Sequence, residues 1–243
     1  VALKTLRMER KPPQILQERF LRGGRSASRL SHPNLVTMIK AGRTNGEPYQ
    51  VLELVDGKDL QVLINARSNP MDAEQVFMIA RQVLAALQYV HDEGFVMRSV
   101  QPDNVLVGDQ MNAKLCDYDL FKRLPTARED DITEVPEVSG AKDVRFAAPE
   151  MISRPLMADE RCDVFGVGAI MYFLLTCQPP FSSQEPEMYP HRAFGREITP
   201  PREINSEIPE PIAEVVERAL SSYLDARFKS AEDMLEKLER ANR

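Results

Sequence analysis

No apolar run in this chain approaches the length needed to cross a bilayer. The longest, residues 164–175, is interrupted by glycines and reads as a buried helix. No C-x-x-C pair occurs either. Cys116, Cys162 and Cys177 are scattered, which speaks against a zinc site or a disulfide framework and suits the reduced thiols of a cytosolic compartment. Basic stretches are also missing, and a formal net charge of -6 would repel a polyanion, so nucleic-acid binding is not expected. There is no repeat period and no low-complexity tract. Nothing at Val1 looks like a signal peptide; the chain begins inside a strand-like run, as a fragment would. Its hydrophobic content of 43 % and charged content of 28 % are those of a globular protein and speak against disorder. A length of 243 residues gives room for one large domain, or two small ones sharing a cleft.

Residues 1–6 alternate apolar and polar side chains around Lys4, as a half-buried strand does. Residues 14–30 predict a helix with Ile15, Leu16, Phe20, Leu21 and Ala27 on its apolar face. Gly23 and Gly24 should weaken it, each costing about 1 kcal/mol relative to alanine. Strands are expected over residues 35–40 and 49–54, and the clearest helix over 72–90, capped by Asp72. His91 follows that helix without a second ligand at useful spacing, so a structural role is expected rather than a metal. Residues 105–107 and 113–115 flank the turn Gly108-Asp109-Gln110 as a hairpin. That hairpin would bring together two polar clusters, Arg98 to Asn104 before it and Asp117 to Asp119 after it. A long polar loop, 126–139, a buried helix from Asp163, a Pro-rich segment to Pro211, and amphipathic helices over 212–220 and 230–238 complete the chain.

These elements carry a pattern that resembles the protein kinases, closest in style to bacterial-type Ser/Thr kinases, over essentially the whole chain. The elements in order are Lys4 in V-A-L-K, His32-Pro33 after the helix, Glu53 at a strand end, Arg98 and Asn104, Asp117, Ala148-Pro149-Glu150, and Asp163 with Arg227. The resemblance implies an α+β, two-lobed fold: a small β-rich N-lobe, residues 1–54, lacking its first two strands, and a helical C-lobe, 55–243. It also implies roles. Lys4 would hold the α- and β-phosphates of ATP. The backbone of Glu53 and Val55 would bond the adenine, with Leu52 as gatekeeper and Ala2 and Leu106 sandwiching the ring. Asn104 and Asp117 would hold Mg²⁺, Asp163 would anchor the catalytic loop, and Arg227 would pair with Glu150.

Several departures bear on chemistry. Ser99 stands where the catalytic aspartate belongs, and Gln101 where a lysine would contact the transferred phosphate. Spacing from Pro33 puts the helix glutamate that would aim Lys4 at Gly23, with Glu18 out of register. The glycine-rich loop would precede Val1. Asp119 replaces a glycine and either joins the metal site or, the preferred reading, repels phosphates and stiffens the loop. Met97 and Tyr118 replace histidine and phenylalanine but keep bulk in an apolar stack with Met38 and Ala27.

The expectation is a pseudokinase: a binding or regulatory module with no catalytic residue assigned, weak or absent ATP and Mg²⁺ binding, a protein partner and a cytoplasmic location. The alternative is an atypical Ser/Thr kinase in which Asp103 or Asp119 serves as a displaced base. A further reading makes Thr126, Thr133 or Ser139 phosphorylation sites read by Arg98.

Overall fold

The structure, a computed structural model, describes residues 1–6, 13–67, 69–124, 143–181 and 198–242. Thr126, Thr133 and Ser139 lie outside the described residues. The small lobe is an antiparallel sheet of β1 (Ala2–Thr5), β3 (Glu47–Leu52) and β2 (Met38–Thr44), with β3 in the middle. The register Ala2 to Leu52 and Lys4 to Gln50 brings Lys4 alongside the strand that ends at the interlobe segment. The second strand begins three residues later than the sequence pattern suggested, because Leu35 and Val36 bond the large lobe instead, Val36 donating to the Leu115 carbonyl.

Helix α1 (Gln14–Ala27) packs Phe20, Leu21 and Ala27 inward and runs unbroken through Gly23 and Gly24. The expected weakness is overridden by tertiary contact. A Cβ on Gly23 would lie 1.9 Å from the Tyr118 carbonyl oxygen, so the helix keeps a bare backbone where another segment presses on it.

In the large lobe α2 (Leu60–Asn65) is capped by Asp59, and α3 (Ala73–Asp92) by Asp72, whose carboxylate accepts from Gln75 N–H at 2.8 Å. A second sheet joins β4 (Gly57–Asp59), β6 (Val105–Gly108) and β7 (Ala113–Leu115), the last two being the expected hairpin. Gln110 and Met111 at its tip are left-handed. Strands β5 (Phe95–Val96) and β8 (Lys122–Arg123) pair beside it. After the short α4 (Pro149–Ser153) comes α5 (Arg161–Thr176), buried on all sides from Cys162 onward as its almost wholly apolar sequence requires. It packs against α3, α7 (Glu210–Ala219) and α8 (Ala231–Ala241); a single turn, α6 (Pro201–Ile204), precedes α7. This is the two-lobed α+β architecture the motif order implied. Among the described residues no helix is long and apolar enough to cross a membrane.

Candidate active site at the lobe junction

Helix α5 builds the floor. Asp163, fully buried at its first turn, accepts from the backbone N–H of Met97 at 2.9 Å and of Arg98 at 2.7 Å, and lies 2.9 Å from His91 Nε2. Arg98 has φ 64°, a conformation disfavoured for a bulky side chain, and the two bonds to Asp163 hold it there. One turn on, Gly166 admits the same loop: a Cβ there would meet the Val100 carbonyl at 2.5 Å. His91 thus serves as a structural partner of Asp163. Behind the floor Arg227 makes a two-pronged pair with Glu150, at 2.6 and 2.9 Å, with the guanidinium fully buried over the Phe165 ring.

The loop itself is tied by its polar side chains. Ser99 Oγ donates to the Asp117 carbonyl at 3.1 Å, and Asn104 Nδ2 donates to the Ser99 carbonyl at 2.7 Å. Gln101 Nε2 donates to Asp103 Oδ1 at 2.6 Å, turning the amide along the loop. A serine hydroxyl keeps its lone pairs when it donates to a main-chain carbonyl, but it is neither anionic nor basic at neutral pH.

Across the cleft, Tyr118 is buried and its hydroxyl donates to the Val36 carbonyl at 2.5 Å; burial pushes the phenol well above its usual pKa. Met97, Met38 and Ala27 are buried, with Tyr118, in the one core cluster that runs through both lobes. The tyrosine's hydroxyl adds a bond that phenylalanine could not make, fixing the segment 117–119 against the small lobe.

That segment places two carboxylates beside Lys4. The Lys4 ammonium lies 2.7 Å from Asp117 Oδ1 and 3.0 Å from Asp119 Oδ2. Asp117, at φ 70°, also accepts the Asp119 backbone N–H through the same Oδ1 at 3.0 Å. Arg19 of α1 donates to the Asp119 carbonyl at 3.2 Å; burial, then the nearby Arg98 charge, lowers the Arg19 pKa. Glu18 faces elsewhere and pairs with Arg43 at 2.8 Å. Sequence reasoning missed the Lys4 to Asp119 pairing. The only available signal was the coincidence of a glycine at 23 with an acid at 119.

Asn104 and Asp117 carry hard oxygen donors of the kind Mg²⁺ takes. The Lys4 ammonium sits on Asp117 Oδ1, and Asn104 donates its amide nitrogen to the Ser99 carbonyl, a bond that does not use its amide oxygen. Among the described residues no group of three His, Cys, Asp or Glu side chains is arranged to hold a metal. On the adenine side, Ala2 and Leu106 are half-buried against the core, and Leu52 is buried. Glu53 is spent on structure: its carboxylate accepts from Thr37 N–H and Oγ1, each at 3.0 Å, and pairs with Lys114 at 2.7 Å. Burial raises its pKa, but Lys114 and Thr37 outweigh that and hold it below the usual carboxylate value. Val55 follows, half-buried, after the exposed Leu54. A cavity of about 330 Å³ opens between α1 and this same loop and segment, lined among others by Leu16, Phe20, Ser99, Asp117, Asp119 and Met151.

A small sheet with one helix set over a helical lobe, the loop held by a buried aspartate, and a lysine facing an aspartate across the cleft define the protein kinase fold. The chain matches the protein kinase domain family over residues 1–238 and belongs to that family. It is 30 % identical over 251 aligned positions to a probable serine/threonine-protein kinase of Corynebacterium efficiens, covering 100 % of this chain and 37 % of that protein. It is 29 % identical to the probable serine/threonine-protein kinase PknB of Lactococcus lactis, covering 97 % of this chain and 36 % of that protein. Against the serine/threonine-protein kinase PknB of Mycobacterium leprae it is 27 % identical, covering 96 % and 37 %. The chain thus spans little more than a third of the length of these relatives.

Proposed function

We propose that this protein is a kinase-fold binding or regulatory module in which phosphoryl transfer is impaired or lost. The observation that carries the reading is the state of Ser99: it stands in the base position and donates its hydroxyl to the Asp117 carbonyl. A positioned base contributes roughly 10² to 10⁴ in rate, and a neutral donor supplies none of it. The displaced-base alternatives are both engaged, Asp103 by Gln101 and Asp119 by Lys4. Gln101 brings no charge for a transferred phosphate.

In this reading the lobes divide near residues 54 and 55. The cleft binds ATP weakly or not at all through Lys4, Ala2, Leu106 and the Glu53–Val55 backbone, and the output is contact with a protein partner in the cytoplasm. The purified chain, incubated with γ-³²P-labelled ATP and a generic protein substrate, should transfer no phosphate to itself or to the substrate. Transfer at ordinary kinase rates would sink the proposal. It would favour the atypical kinase, for which the retained Asn104 and Asp117 speak.

A further inference from the structure

We propose that Lys4 is this protein's built-in counter-ion, its ammonium held between Asp117 and Asp119 so that it competes with a divalent cation for Asp117, and that Gly23 is what seats it. Three observations converge. Lys4 Nζ is within 3.0 Å of both carboxylates, one of them almost fully buried. The segment carrying them is pressed onto α1 so closely that any side chain at position 23 would collide with the Tyr118 carbonyl. Arg19 of the same helix then clasps the Asp119 carbonyl. The glycine in the helix and the acid in the loop are therefore one device. The carboxylate that aims Lys4 comes from the loop, and the helix makes room for it.

Two consequences follow from charge. The two carboxylates meet the Lys4 ammonium directly and have the Arg19 guanidinium close by, so their charge is largely balanced without a metal. An entering Mg²⁺ would have to displace Lys4 and then sit beside an unpaired ammonium a few ångströms away, a repulsion that should weaken its binding about tenfold or more. Asp119 acts as a positioning residue for Lys4.

The inference rests on the reading of the chain as a kinase-fold module without efficient transfer, but its test needs neither ATP nor a phosphate acceptor. Mn²⁺ is titrated into the 243-residue chain and free ion followed by electron paramagnetic resonance. The wild type should show no site tighter than about 1 mM. Lys4→Met, and Lys4→Gln as a second variant should the first fail to fold, should gain one site about tenfold tighter or better, lost again when Asp117→Asn is added. A folded Lys4 variant with no gain overturns the proposal. So does a wild-type site at or below about 1 mM that disappears in Asp117→Asn. The seat is tested by mass spectrometry of Lys4 acylation. Asp119→Asn and Gly23→Ala should each raise its rate several-fold, and Asp119→Glu should restore protection. An unchanged rate in Asp119→Asn overturns the positioning role. Phosphate transfer at kinase rates would overturn the proposed function instead, whatever the Mn²⁺ result.

Discussion

Two ion clusters sit on either side of the loop from Met97 to Asn104, and they use their charges differently. Below it, Asp163 holds main-chain N–H groups and Glu150 holds Arg227, with every charge buried and matched by geometry. Above it, Lys4 and Asp119 are partly exposed, Asp117 is buried, and the ammonium meets both carboxylates. The lower cluster is the family's scaffold kept intact. The upper one keeps the family's lysine and aspartate but closes the circuit among side chains. A fold can hold its frame while its polar site turns inward, because frame and site draw on different residues.

The contrast predicts unequal costs. Arg227→Ala should cost most, about 3–5 kcal/mol in urea unfolding, because it leaves Glu150 buried without its partner; a loss below about 1 kcal/mol would place the lower cluster on a par with surface pairs. Asp163→Asn comes next, about 1–3 kcal/mol, since one of its oxygens becomes a donor facing backbone N–H groups that need an acceptor. Tyr118→Phe should cost about 1 kcal/mol by removing the bond to the Val36 carbonyl, while leaving the interlobe stack in place.

Ser99→Asp should gain less than about 10² in phosphate transfer, because the new carboxylate would face the Asp117 carbonyl that Ser99 now donates to, and Lys4 remains engaged. A larger gain would mean that only the base is missing. The smallest effect concerns Glu53. Its folded pKa is held below the unfolded value, so the stability it adds is complete above the unfolded carboxylate range and fades as pH falls through the folded value. Lys114→Ala should flatten that acid limb by under about 1 kcal/mol, the partly exposed pair being screened by solvent.

The elements read locally came out close to where the chain placed them. Asp72 followed by the apolar spacing of α3, and the two short runs around Gly108, encode their structures within a few residues. The start of β2 differs because Leu35 and Val36 look like strand, but Leu35 N–H bonds the His32 carbonyl and Val36 N–H the Leu115 carbonyl of the hairpin across the lobes. The weakness assigned to α1 at Gly23 was misplaced for the same kind of reason. Propensity counts what a glycine costs alone and cannot count a carbonyl from residue 118 that requires it.

The order and spacing of Lys4, Arg98, Asn104, Asp117, Glu150, Asp163 and Arg227 already carried the architecture, and Ser99 already stood where the family's aspartate is expected. Those are matters of residue type at a position, which a linear chain displays directly. Where the Lys4 charge goes is another matter. Its partners lie 113 and 115 residues away, and they reach it only because Tyr118 is bonded into the small lobe and Gly23 lets the backbone close on α1. Which carboxylate meets which ammonium is set by packing at distances of a few ångströms, and only the folded chain brings those groups together.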